Sequence, residues 1–140
     1  MKVYADASVL VSLFVLDAST ERAKGFLQGS AILLVLSNFS AVEFASAVAR
    51  RVRIRSTTLD EARRAFVSFD LWMQRAAMLE EADAADFSSA AEYLRRLDAN
   101  LRTGDALNIA IAQRVGAALA TFDRKMADAA RALGAELAPL

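Results

Sequence analysis

The sequence predicts an α/β fold: a three-layer α/β/α sandwich around a central, mainly parallel sheet of four to five short strands. Three observations carry this expectation. Short apolar runs (KVYAD, AILLVL and ALATF) alternate with longer segments of helical periodicity. The run AILLVL is apolar at every position, as a strand buried on both faces of a parallel sheet must be. One proline and five glycines are too few for a turn-rich all-β fold, so helices have to fill the remaining chain.

Residues 2–6 (KVYAD) open as a short strand rich in Val and Tyr. From Ser8, the spacing of Val11, Phe14 and Val15 predicts one or two helical turns. A second helix is expected over 19–27, with Ser19 or Thr20 as cap, Glu21 near its start and Gly29 beyond its end. The second strand takes 31–36, bounded by Gly29-Ser30 and Ser37-Asn38. A helix follows over 40–53, and another starts at Thr57 or Thr58, carrying Leu59, Ala62, Phe66, Phe69, Met73 and Ala76 on one face. A very short strand is expected at 84–87, then a helix over 88–97. Residues 103–115 read as a helix stopped by Gly116, 118–122 as a strand, and 123–133 as a helix. AELAPL is expected as a terminal edge strand, where Pro139 is tolerated. No linker, repeat or low-complexity segment interrupts this order, so residues 1–140 are expected to form a single domain.

Composition narrows the chemistry. Hydrophobic residues make up 56% of the chain, enough for a packed core. Cysteine is absent, which removes disulfides, thiolate catalysis and thiolate zinc sites and fits a reducing compartment. Histidine is absent too, so Ser-His-Asp, Cys-His and HExxH machinery cannot be built. The opening MKVYADASV lacks the form of a secretory signal, and no apolar run reaches the ~18 residues of a membrane helix. A soluble, cytoplasmic protein with no membrane partner is expected. Net charge is zero, with 17 acids against 17 bases, but the bases are 14 Arg and 3 Lys. Arg grips phosphate bidentately, so this bias suits a phosphate partner, although a proteome-wide preference explains it equally well.

Four acids stand apart from the other thirteen. Asp6 closes the first strand and Asp123 closes ALATF; Glu43 is expected in the first turn of one helix and Asp105 in the first turn of another. All four lie in apolar context (YADAS, AVEFA, GDALNIAIA, ATFDRK), whereas Asp60, Glu61, Glu80, Glu81, Asp83 and Asp86 lie in polar stretches or on expected solvent faces. Each has a structural explanation: Ser40-Ala-Val-Glu43 matches a capping box, Asp105 favours a helix N-terminus, and Asp6 and Asp123 are plausible N-caps. In an open α/β sheet, however, ligands bind beyond the carboxyl ends of the strands, where these acids fall together. Carboxylates gathered within ~5 Å repel by a few kcal/mol per pair unless a cation or shared protons offset it. An all-oxygen donor set points to magnesium or manganese, not zinc or copper. Such an ion activates water and neutralises a phosphoryl oxygen without help from histidine.

These segments, taken in order, resemble the PIN-domain nucleases, specifically the VapC-type toxins of bacterial toxin–antitoxin pairs. VYADASVLVSLF resembles the opening strand with its D-x-S/T motif, in Asp6 and Ser8. SNFSAVEFASAVAR resembles the segment of the second acid, Glu43; RTGDALNIAIA that of the third, Asp105; ATFDRKM the T-x-D segment, with Thr121 and Asp123. The resemblance implies a PIN-like fold and an Mg2+-dependent endoribonuclease, with Mn2+ as a substitute ion. It implies hydrolysis of RNA phosphodiester bonds by a metal-activated water, a homodimer, and silencing by a cognate antitoxin protein. Asp6, Glu43, Asp105 and Asp123 would be the catalytic metal ligands, with Ser8 and Thr121 orienting them. Asn108 departs from the pattern, since relatives often carry His there.

Arg50, Arg51, Arg53 and Arg55 could guide RNA phosphates toward these acids, or simply coat a solvated helix. Arg95, Arg96 and Arg102 are open to the same two readings. Phe66, Phe69 and Trp72 are assigned mainly to the core, with a groove for an antitoxin helix or dimer partner as the alternative. Two rival functions share the sequence evidence. A magnesium-dependent phosphatase or phosphotransferase would use Asp6 as nucleophile, but such enzymes favour D-x-D and the second position here is Ser8. A non-enzymatic α/β binding module would use the acids only as caps. A P-loop is excluded, because no G-x-x-x-x-G-K stretch occurs.

Overall fold

In the computed structural model, which describes residues 1–29 and 31–140, the chain alternates strands and helices as its apolar runs demand. The elements are β1 (Lys2–Ala5), α1 (Ala7–Phe14), α2 (Thr20–Gly29), β2 (Leu33–Ser37), α3 (Asn38–Arg53), α4 (Leu59–Ala76) and β3 (Met78–Glu80). They continue with α5 (Ala84–Arg95), α6 (Thr103–Arg114), β4 (Ala118–Ala120) and α7 (Arg124–Ala132). The strands form one parallel sheet in the order β3-β2-β1-β4. Tyr4 pairs with Val35 on one side and Leu119 on the other, so β1 is central and β4, though late in sequence, lies beside it.

Alternation along the strands creates the three layers. Val3, Ala5, Leu34 and Leu36 face one side and pack with Val9, Leu10, Phe44, Val48 and Phe69 of α1, α3 and α4. Tyr4, Val35 and Leu119 face the other side, against Ile109, Ile111, Met126 and Ala130 of α6 and α7. Helix α6 is buried at eight consecutive positions, Asp105–Ala112, because α5 covers the face that the sheet leaves open. Phe66, Phe69 and Trp72 join Phe14 and Phe44 in an aromatic cluster in which most ring pairs meet edge to face, matching the core assignment. Edge-to-face contact is the arrangement ring quadrupoles prefer.

Four expectations need correction. The short strand falls at Met78–Glu80, not 84–87, because its register against Val35–Ser37 decides the pairing; residues 84–95 are helical from an Asp83 cap. The terminal edge strand reduces to a single parallel bridge, Leu119 with Leu137, flanked by Leu119 N–H donating to Glu136 O and Ala138 N–H to Leu119 O. Helix α3 begins at Asn38 directly after β2, capped by Ser37 in a reciprocal box with Ser40. Glu43 therefore lies in the second turn and does not close a capping box. Asp86 is not a solvent acid: it is 1% exposed and accepts from Arg114 Nε at 2.8 Å. Glu80 and Asp83 stand 3.6 Å from the same guanidinium. The boundary residue Ser30 lies outside the described residues. Among the described residues, no helix is long and apolar enough to cross a membrane.

Candidate active site

The parallel sheet presents its carboxyl ends on one edge, and a cleft of about 570 Å3 opens there. Asp6, Ser8, Glu43, Asp105, Asn108 and Asp123 line it, together with Arg50, Arg51 and Arg102. The four acids singled out in the sequence thus share one cleft. A second cleft of about 420 Å3, between Leu13, Phe14, Leu27, Ile32, Leu34 and Trp72, contains no carboxylate.

Asp6 is both cap and site residue. Its backbone N–H donates to Ala120 O, tying the ends of β1 and β4. Its Oδ1 caps α1, accepting from the Ser8 and Val9 amides at 3.0 and 3.2 Å and from Ser8 Oγ at 2.6 Å. Its Oδ2 accepts from Thr121 Oγ1 at 2.9 Å. The residue is only 4% exposed. Burial pushes its carboxyl up to about 6, against the hydrogen bonds from Ser8, Thr121 and Val9, and the nearby charge of Glu43 pushes the same way.

Ser8 and Thr121 hold this arrangement from both sides. Ser8 Oγ also accepts from the Phe122 amide at 2.8 Å, and Thr121 Oγ1 accepts from the Asp123 amide at 3.0 Å. The two hydroxyls therefore fix the β4–α7 turn to Asp6. Asp123 caps α7 with Oδ1, accepting from Lys125 and Met126, and turns Oδ2 to Arg102.

Glu43 reaches the cleft from α3 and meets α6. Asn108 Nδ2 donates to its Oε2 at 2.6 Å and to Gly104 O at 3.1 Å. The Asn108 Oδ1 accepts from Tyr4 Oη at 2.9 Å, and Tyr4 Oη lies 2.7 Å from Ser37 Oγ. A polar chain thus runs from the α3 cap through the buried sheet to Glu43. Burial raises the Glu43 carboxyl; the Asn108 bond opposes this, Asp105 adds to the rise and Arg102 opposes it. Close approach here depends on Gly104: a Cβ at that position would lie 2.5 Å from Glu43 Oε1.

Asp105 sits in the first turn of α6. Its Oδ2 accepts from the Arg102 amide at 3.0 Å and from Arg102 Nε at 3.2 Å. Arg102 also donates from its terminal nitrogen to Asp123 Oδ2 at 3.1 Å, so one guanidinium bridges two of the four acids. With the side chains so engaged, among the described residues no three His, Cys, Asp or Glu side chains converge closely enough to hold one ion. The donor chemistry nevertheless fits a hard cation: oxygen ligands only, two with raised affinity for protons, around a polar cleft.

The arginines separate. Arg50 and Arg51 line the cleft, and Arg51 donates to Asp17 Oδ2 at 3.1 Å, while Ser12 donates to the same oxygen. Arg53 and Arg55 do not line it; Arg55 sits in the turn after α3 with φ of 60°. Tyr4, Gly104 and Asp17 are parts of the candidate site that sequence reasoning did not single out, and Arg102, read there as a phosphate guide or a solvated charge, instead pairs with Asp105 and Asp123. The usable signal for Arg102 was its position three residues before Asp105, where two side chains on a helix meet.

Residues 3–132 match the family model of the PIN domain. The chain belongs to the PIN domain family. No curated protein sequence matches it. Among solved structures, this PIN domain is similar to VapC20 of Mycobacterium tuberculosis, a toxin that cleaves the sarcin–ricin loop, with a TM-score of 0.74 and 21% identity over 91% of this chain and 94% of that one. It is similar to VapBC2 of Rickettsia felis, solved bound to a DNA fragment from its promoter, with a TM-score of 0.71 and 13% identity over 99% and 98%. FitAcB of Neisseria gonorrhoeae follows at a TM-score of 0.62 and 19% identity over 92% and 93%. At such identities the likeness establishes the fold.

Proposed function

We propose that this PIN domain is an Mg2+-dependent endoribonuclease of VapC type, hydrolysing RNA phosphodiester bonds and neutralised by a cognate antitoxin. The observation that carries this reading is the gathering of Asp6, Glu43, Asp105 and Asp123 on one cleft at the carboxyl edge of the sheet. Asp6, Glu43, Asp105 and Asp123 would hold Mg2+, or Mn2+ in its place. When bound, the ion supplies an activated water and charge neutralisation at the scissile phosphate.

The chain's own residues do the rest. Ser8 and Thr121 fix the orientation of Asp6, and Asn108 fixes Glu43, so ligand oxygens are held before substrate arrives. Arg50, at the cleft wall, is placed to meet a backbone phosphate, whereas Arg51 is engaged by Asp17. An aspartyl-phosphate mechanism is poorly supported, because Asp6 Oδ1 already accepts three hydrogen bonds and Oδ2 a fourth. The similarity to VapBC2 and FitAcB supports the antitoxin assignment, and the homodimer belongs to the same reading.

Incubation of the purified chain with structured ribosomal RNA and Mg2+ should yield discrete fragments. Chelation of the ion, or Asp105→Asn, should abolish them. Cleavage by Asp6→Asn at the wild-type rate would refute the site.

A further inference from the structure

Among the described residues, Arg102 is the one cation that touches two of the four cleft acids. Its Nε is 3.2 Å from Asp105 Oδ2 and its terminal nitrogen 3.1 Å from Asp123 Oδ2. The Asp105 side chain is only 10% exposed and that of Asp123 is partly open, at 30%. The Arg102 side chain itself is 74% exposed and, among the described residues, is held only by these carboxylates. An exposed guanidinium gives up such contacts at little cost, because water replaces the lost hydrogen bonds. Asp123 Oδ1 is committed to the α7 cap, so Oδ2 is the oxygen that Asp123 can offer a ligand, and Arg102 occupies it.

We propose that Arg102 is a built-in counter-ion that a divalent cation must displace, so that it sets the ion concentration at which the site loads. This deepens the reading above and rests on it. The guanidinium and the ion compete for the same oxygen of Asp123 and for the same negative potential, which Glu43 also feeds. Binding of one opposes binding of the other, as reciprocal linkage requires. Arg102 thereby lets the chain keep these acids close when ion is scarce, and it weakens ion binding in return. It acts as a positioning residue for Asp105 and Asp123.

The test compares Mn2+ affinity by isothermal titration calorimetry for wild type, Arg102→Gln and Arg102→Lys, with circular dichroism to verify folding. Arg102→Gln should bind Mn2+ roughly five- to tenfold more tightly, the size expected when a unit charge leaves the side of a divalent ion in a largely solvated cleft. In chelator its melting temperature should drop by a few degrees, and the Mn2+-induced rise should exceed that of wild type. Arg102→Lys keeps the charge but cannot bridge two carboxylates, so its affinity should fall between the other two. Equal or weaker Mn2+ binding by Arg102→Gln, with wild type binding normally, overturns the counter-ion role and leaves the nuclease reading intact. If Arg102→Gln does not fold, Arg102→Lys binding Mn2+ no more tightly than wild type overturns it in the same way. Wild type that binds no Mn2+ at millimolar concentration overturns the metal site itself.

Discussion

Asp6 shows how one residue ties two parts of the fold with separate oxygens, Oδ1 capping α1 and Oδ2 meeting Thr121 at the end of β4. Its carboxyl titrates at about 6 in the folded chain against an ordinary 3.8, so between those values the folded state holds more protons than the unfolded state. Stability of the chain in chelator should therefore decline as pH rises through that window and level off above it. Asp6→Asn keeps an Oδ1 for the cap and removes the buried charge. It should raise stability near pH 7 by about 1–3 kcal/mol, shrinking toward nothing near pH 4, while abolishing cleavage. Denaturant melts at both pH values check the sign, and a variant less stable than wild type at pH 7 contradicts it. Gly104→Ala is the complementary change. The carboxylate of Glu43 can move aside for the new methyl, so stability should stay within about 0.5 kcal/mol, but Mn2+ affinity and cleavage rate should each fall about tenfold, since ligand geometry shifts by the displacement the Cβ enforces. Calorimetry beside a melting curve separates the two effects.

At the scale of elements, the sheet was legible wherever burial on both faces made a strand continuous in apolar character. Leu34–Leu36 and Ala118–Ala120 announce themselves this way. Met78–Glu80 does not, because an edge strand with exposed Met78 and Leu79 carries no pattern that separates it from a loop. The end of the chain fails for another reason: the next donor in the ladder, the Leu140 amide, turns back to Ala138 O, so pairing stops at one bridge. The α3 start was misplaced because Ser37, Asn38 and Ser40 are all good cap residues, and only the absence of any loop after β2 selects Ser37. Asp86 was hidden by its neighbours DA-AD-F, since its burial depends on Arg114, 28 residues on. That pair joins α5 to α6, and Arg114→Met should cost about 3 kcal/mol by stranding a buried carboxylate. The double variant with Asp86→Asn should recover part of the loss in urea unfolding. Recovery of nothing would mean that the guanidinium stabilises through Glu80, Asp83 or the Glu81 carbonyl instead.

For the whole molecule, the four acids were legible because each breaks an apolar context at a strand end or within the first two turns of a helix. Of their supports, Ser8 and Thr121 were marked by the family motif, whereas the ties made by Asn108 and Arg102 were not. Asn108 reads as one polar residue in an apolar helix, and its bond to Glu43 depends on two helices 65 residues apart meeting. The ensemble predicts linkage between ion and fold: Mg2+ or Mn2+ should raise the melting temperature in proportion to the logarithm of its concentration once above the dissociation constant. The rise should weaken below pH 6, because Asp6 and Glu43 must release protons to serve as ligands. A melting temperature indifferent to both ions would leave the acids as caps alone.

The contact between Asp6 and Thr121 spans 115 positions, and it joins the first strand of the sheet to the end of the last. A ribosome that has made Asp6 must add 115 more residues before Thr121, at the end of β4, arrives to seat it. Asp105, Asn108, Thr121 and Asp123 all follow Asp6 by most of the length of the domain. The acid-lined edge therefore cannot assemble on a nascent chain that still lacks β4. Delivery of β4 is built into the fold as a safety catch, enforced by strand order alone.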